Sequence, residues 1–176
     1  VYLKRFFFFV KKGDYLFLID EAHNLVERGR HMYSATLYKE DFLSVRKKIR
    51  YQDGRLYRYL SECNKILLEM KRECETYRIY ESISGLVMKL MNVQSRFELL
   101  LEEAEQTDDE VLDFYFQVRQ FLSIYDRVDE HYVIYTEFEE DERFKVKLLC
   151  VDPSSNLREF LSLGNSTIFF SATLLP

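Results

Sequence analysis

Helix breakers are scarce: the 176 residues hold two prolines and five glycines. That scarcity permits long, uninterrupted helices. The glycines, Gly13, Gly29, Gly54, Gly85 and Gly164, are never spaced as Gly-x-x-x-x-Gly-Lys-Ser/Thr. A backbone cradle for nucleotide phosphates is therefore missing from these residues. Cysteine is scarce too, and Cys63, Cys74 and Cys150 are odd in number with no C-x-x-C spacing. This argues against a disulfide framework and for a reducing, cytoplasmic setting. Long apolar runs are lacking: Phe6-Phe7-Phe8-Phe9-Val10 stops at Lys11-Lys12, too short for a signal core or a membrane span. We expect that run to lie in a helix covering a sheet, followed by a turn at Gly13-Asp14. There is no internal repeat and no low-complexity linker.

The apolar fraction of 47% and aromatic fraction of 16% instead indicate a packed core. The length suits one domain, or a small domain with part of another. The net charge of −5 argues against a generic polyanion binder. The charge is uneven, however. Residues 46–78 carry ten Lys/Arg against five Asp/Glu, while residues 98–113 carry eight acidic residues and no basic one. Both stretches also read as solvated helix faces.

Residues 15–20 read as a short, buried parallel strand, and residues 22–35 as the helix after it. Helical periodicity then runs through most of 39–127. Phe42, Val45 and Ile49 mark a short helix ending near Asp53-Gly54. Leu56, Leu60, Cys63, Leu67, Met70, Cys74 and Tyr77 alternate four and three apart, which puts Cys63 and Cys74 on one buried stripe. Two further series follow: Ile83, Leu86, Leu90, Val93, Phe97, Leu100, Ala104, then Val111, Tyr115, Val118, Leu122, Tyr125. Such 3.5-residue spacing predicts an antiparallel helical bundle. Thr107-Asp108-Asp109-Glu110 has capping-box spacing and should open the last bundle helix. Residues 131–138 and 144–148 predict a β-hairpin. Asp152-Pro153 predicts an N-cap and first helical position, with the helix running to Leu163 and capped by Gly164. The expected fold is mainly α with a small α/β part: 1–36 and 152–176 form pieces of an α/β domain, 37–130 a helical bundle, 131–151 the hairpin.

The chemistry concentrates at Asp20-Glu21-Ala22-His23-Asn24, directly after the apolar Leu16-Phe17-Leu18-Ile19, and at Ser171-Ala172-Thr173-Leu174, after Thr167-Ile168-Phe169-Phe170. Parallel sheets bind ligands beyond the carboxyl ends of their strands. An apolar strand ending in Asp-Glu puts two carboxylates there, one able to hold Mg²⁺ and one to polarise an attacking water. The competing reading of Asp20 and Glu21 is a helix cap. For Ser171 and Thr173 it is turn chemistry.

These two segments resemble motifs II (D-E-A-H) and III (S-A-T) of superfamily 2 helicases. Asn24-Leu25 narrows the resemblance to XPD/DinG-like DNA helicases, as does Val151-Asp152-Pro153-Ser154. In that family a helical arch domain is inserted between the motifs, and here 150 residues lie between Asp20 and Ser171. The resemblance implies a partial RecA-like helicase domain carrying an arch, in a fragment that cannot turn over ATP alone. It implies an ATP-dependent DNA helicase as parent, serving DNA repair, with ATP and Mg²⁺ as cofactors. Asp20 would coordinate the Mg²⁺ through water, Glu21 would activate the water, and His23 would link the hydrolysis site to the motor. Ser171 and Thr173 would couple nucleotide state to DNA engagement. An iron–sulfur cluster of the family would sit on cysteines outside this chain.

By the same resemblance the arch guides single-stranded DNA, and Arg46, Lys47, Lys48, Arg50, Arg55 and Arg58 become candidate phosphate contacts. Tyr51, Tyr57 and Tyr59 lie among them and could stack on bases. The acidic end of the bundle would repel DNA; it reads as a partner-docking tip or a solvated helix–helix turn. Two other readings stand beside the helicase fragment: a helical protein-interaction or regulatory module, and part of a helicase–nuclease. For the last, the chain shows no nuclease-like acidic cluster. No membrane partner is expected, and the expected location is cytoplasmic, of bacterial or nucleoid-associated type.

Overall fold

A computed structural model describes residues 13–103 and 108–172. In chain order the elements are β1 (Leu16–Ile19), a 3-10 turn (Ala22–Asn24), α1 (Leu25–Met32), β2 (Ala35–Tyr38), α2 (Lys39–Ile49), α3 (Gly54–Arg72), β3 (Tyr77–Tyr80), α4 (Ser84–Glu103), α5 (Asp109–Tyr125), β4 (Tyr132–Phe138), β5 (Phe144–Cys150), α6 (Ser154–Leu161) and β6 (Ser166–Phe169). The fold is mixed, with helix predominant and strands in two separate sheets. It divides into two compact units, one from the two ends of the chain and one of residues Ser34–Cys150.

In the terminal unit β1 and β6 pair in parallel, with Leu16 opposite Ser166 and Ile19 opposite Phe169. The strand is where the apolar run predicts it, but it is not buried. Phe17 packs on Phe160 of α6 at 5.1 Å between ring centroids. Leu16 and Leu18, on the other face, are 56% and 64% exposed. The reason is that β1 has a single neighbouring strand and nothing covers its second face among the described residues. The following helix is also shorter than expected. Residues 22–24 form a 3-10 turn, α1 stops at Met32, and Ala35 already belongs to β2. Gly29 is needed on α1, because a Cβ there would lie 3.0 Å from Pro153 and 3.1 Å from Leu157. The Phe6–Val10 run lies outside the described residues, and Asp14 bends the chain where the turn was expected.

The inserted unit is a four-stranded antiparallel sheet, β2-β5-β4-β3, packed on α2 and α5, with α3 against α2 and α4 against α3 and α5. The expected hairpin is its central pair β4–β5, so residues 131–151 share a core with the helices. Successive helices run antiparallel. Glu40 meets Lys71, and Arg46 lies over Tyr57, between α2 and α3. Asp53 meets Arg96, and Glu62 meets Lys89, between α3 and α4. Phe42, Ser44 and Lys48 of α2 face Phe114, Glu110 and Asp108 at α5 in reversed order. The core holds Phe42, Phe97, Phe114, Phe121 and Phe144, all fully buried, with Phe42 edge-on to Phe114 at 4.9 Å.

The periodic stripe of α3 overran its helix. Leu56, Leu60, Cys63, Leu67 and Met70 are buried as spaced. The helix ends at Arg72; Cys74 lies beyond it, and Tyr77 begins β3. A four–three spacing continued by chance into a segment whose β-branched and aromatic residues complete the sheet. Cys74 is still buried, its thiol 3.7 Å from the Thr136 carbonyl, and burial pushes the Cys63 thiol up to about 12. Other boundaries moved slightly. Asp108 caps α5 by accepting the N–H groups of Glu110 and Val111, whereas Glu110 turns to Ser44 and Lys48; Thr107 and Ala104 lie outside the described residues. Pro153 takes the N-cap position of α6, Asp152 accepts the Ser154 N–H, and the helix stops at Leu161. No helix among the described residues is long and apolar enough to cross a membrane.

The α2–α3–α4 junction turns on Asp53, which is buried. Its carboxylate accepts the N–H groups of Arg55 and Leu56 at the start of α3, and the Arg96 guanidinium at 2.7 Å. Burial alone would raise its pKa, but Arg96 and the two N–H donors outweigh burial and hold it below the ordinary carboxylate value. A depressed carboxylate stabilises the fold above its unfolded value near 4, and the gain is lost as pH falls through the folded value. Asp53→Asn should cost about 2 kcal/mol at neutral pH. Denaturant titrations from pH 7 to 3 should also show a flatter acid limb than the parent.

Candidate functional site

Ile19 ends β1 and Phe169 ends β6, side by side because the strands are parallel. Two hydrogen bonds prolong the register past the sheet. The Phe170 N–H donates to the Ile19 carbonyl at 3.0 Å, and the Ala22 N–H donates to the Phe170 carbonyl at 3.1 Å. The segment Asp20–His23 is thereby set against Ser171, although 150 residues lie between Asp20 and Ser171. Sequence reading paired these motifs but gave no role to Phe170; its contribution is all backbone, and no side-chain signal marks it.

Asp20 folds back on the chain, its Oδ1 accepting the Glu21 N–H at 2.8 Å, and remains exposed. Glu21 takes the left-handed backbone region, φ 53° and ψ 46°. Its Oε2 lies 3.3 Å from His23 Nδ1 and 3.5 Å from Ser171 Oγ, and His23 Nδ1 lies 2.8 Å from Ser171 Oγ. One proton arrangement makes two of these contacts hydrogen bonds and leaves the third as a close approach of His23 to the carboxylate. With the proton on Nδ1, His23 donates to Ser171 Oγ, and the Ser171 hydroxyl donates to Glu21 Oε2. The cluster is half-exposed, so water reaches the carboxylate. Thr173 lies outside the described residues.

Among the described residues no group of three or more His, Cys, Asp or Glu is arranged to hold a metal ion. A dedicated protein cage is therefore not what Asp20 and Glu21 offer. Their hard oxygen donors suit Mg²⁺ held by a single carboxylate, with water and phosphate oxygens completing the shell.

The basic candidates all lie in the inserted unit, at the end of α2 and the start of α3. They are not equivalent. Lys48 Nζ sits 2.7 Å from Asp108 and 2.8 Å from Glu110, and those carboxylates raise its pKa. The basic helix is thus joined to the first turn of the acidic one, a pairing that sequence spacing does not reveal. Arg46, Arg50 and Arg58 lie over the rings of Tyr57, Tyr51 and Tyr59 at 5.4 to 5.6 Å. Arg58 also reaches Glu62 at 3.9 Å. Lys47, Arg50 and Arg55 are exposed, and Tyr51 is 89% exposed. No protein-family model matches the chain, and no curated protein matches it.

Gly164 governs how closely the β6 approach passes β1. It does not adopt the positive φ expected of a helix cap. A Cβ there would lie 2.6 Å from the Phe17 ring and 3.0 Å from the Tyr15 carbonyl. Gly164→Ala should cost about 1–3 kcal/mol through overpacking. Hydrogen exchange should locate the loss in the amides of β1 and β6, with those of α3 and α4 unchanged.

Proposed function

We propose that this chain carries one carboxylate-bearing wall of the ATP site of an XPD/DinG-like DNA helicase, together with its inserted arch. The observation that carries the reading is the Glu21–His23–Ser171 cluster beyond the carboxyl ends of two parallel strands. Such an edge is where α/β sheets hold nucleotide ligands. In this reading the terminal unit is part of a RecA-like domain, and residues Ser34–Cys150 are the arch.

Asp20 would hold Mg²⁺ through water, and the ion, when bound, would neutralise charge developing on the phosphate oxygens. Glu21 orients water and accepts its proton. The Ser171 hydroxyl donates to the Glu21 carboxylate and is itself held by His23, so a change at either strand end alters where that carboxylate points. Because Ser171 follows β6 and Glu21 follows β1, movement of one strand end against the other is felt at the carboxylate. This is the physical content of coupling between the two motifs.

The arch, in this reading, follows single-stranded DNA without reading its sequence, through Arg46, Lys47 and Arg50 on phosphates and Tyr51 on a base. Lys48 is neutralised by Asp108 and Glu110, and contributes to holding α2 on α5. The same clasp favours a second reading, in which the bundle is a partner-docking or regulatory element.

Two measurements test the proposal. In the helicase that contains this segment, Glu21→Gln should lower ATP turnover by about a hundredfold or more, and Ser171→Ala by less. Turnover indifferent to Glu21→Gln sinks the nucleotide-site reading. Fluorescence anisotropy of the chain with labelled single strands should show salt-sensitive binding. Reversing Arg46, Lys47 and Arg50 to Glu should weaken it roughly tenfold or more and flatten its salt slope. Lys48→Glu should act chiefly on stability. Affinity unaffected by the triple reversal would favour the docking reading.

A further inference from the structure

Strand β3 is the outer edge of the four-stranded sheet, and no described residue pairs with its far side. Its pairing fixes which backbone groups are unused. The Phe138 N–H donates to the Thr76 carbonyl, so the hydrogen-bonded positions along β3–β4 are Thr76, Arg78 and Tyr80. The alternation then directs the N–H and C=O of Tyr77 and Ile79 outward, two donors and two acceptors in ladder spacing. The same residues present apolar side chains on the sheet face away from the helices, 65% and 63% exposed.

Sheet proteins usually blunt such an edge with a central charge, a proline or a bulge. Here the central charge, Arg78, is turned to the other face and paired with Glu73 at 2.6 Å. The exposed acidic residues Glu75 and Glu81 flank the strand, and neither has an ion pair among the described residues. Glu137, across from Tyr77, is occupied by Lys145 at 2.6 Å. The open edge is thus apolar at its centre, with an unneutralised carboxylate at each end.

We propose that this edge docks an extended segment of a partner protein as a fifth strand. Its two central outward residues would be apolar, and lysine or arginine would lie near both ends, six residues apart. Strand addition gains affinity from main-chain hydrogen bonds, and specificity from alternate side chains. A second copy of this chain fits poorly. Centred on Arg78, two copies would oppose Arg78 to Arg78 and Glu75 to Glu81. Centred on Ile79, they would leave Glu75 and Glu81 without cations.

The test uses the whole chain and a labelled seven-residue peptide, acetylated and amidated. It has lysine at both ends, valine at the third and fifth positions, and threonine elsewhere. Binding should protect the Tyr77 and Ile79 amides from hydrogen exchange. The Glu75→Lys/Glu81→Lys double variant should bind this peptide about tenfold more weakly and prefer a glutamate-ended counterpart. The exposed Ile79→Lys should abolish binding of the original peptide without changing thermal unfolding. Absent binding, binding without protection at Tyr77 and Ile79, or failure of the charge swap to reverse the preference overturns the proposal. Protection that rises with protein concentration alone, in a sample that sediments as a dimer, also overturns it.

Discussion

Everything at the candidate site depends on one parallel strand pair and the two backbone hydrogen bonds that extend it. Bringing together residues 150 apart through an unstructured loop would cost about 4–5 kcal/mol of chain entropy, more than one two-stranded ladder supplies. The inserted unit removes that cost by folding with its own ends adjacent. Ala35 lies opposite Leu148 in the β2–β5 ladder, and the Cys150 N–H donates to Ser34 Oγ. Because the insert returns the chain to the place it left, β1 and β6 meet as if the intervening residues were a short connection.

Within the insert, apolar stripes set which helix faces are buried, and ion pairs set the junctions. Phenylalanine fills the space where α2, α4 and α5 converge, with Phe114 in ring contact with both Phe42 and Phe97. The junctions are held by carboxylates of differing burial. Asp53 is nearly out of water and accepts three hydrogen bonds, so removing it leaves unpaired donors behind. Asp108 and Glu110 hold Lys48 at the surface, where water competes and each pair contributes little by itself.

The four insert helices were legible because each buries one apolar stripe, and Leu56, Leu60, Cys63 and Leu67 declare that stripe in sequence. The hairpin was legible from its alternation. Strands β2 and β3 were not, since four residues each cannot establish a period of two, and both lie beside strong helical patterns that absorb them. Leu16 and Leu18 misled in another way: an apolar run reports what a strand is suited to contact, not whether a contact is made. At the site, Asp20, Glu21, His23 and Ser171 were readable from type and order. The part played by Phe170 was not, because a carbonyl and an amide are common to every residue.

Backbone geometry separates Glu21 from a residue that only closes a hairpin. Two described non-glycine residues have positive φ, Glu21 and Glu142. Glu142 sits in the β4–β5 connection, where the Glu139 N–H bonds to the Arg143 carbonyl and the Glu142 N–H to the Glu139 carbonyl. A left-handed residue there is how a short hairpin loop closes. No hairpin closes at Glu21. Its conformation costs on the order of 1 kcal/mol relative to a right-handed one, and glycine would relieve it. The Glu21 N–H bonds to Asp20 and the Glu21 carbonyl accepts the Asn24 N–H, while the Ala22 N–H is held by Phe170. The strained turn is thus fixed from both strand ends, and its effect is to bring the Glu21 carboxylate within reach of His23 and Ser171. A helix cap at this point would need neither the left-handed backbone nor the reach across to β6.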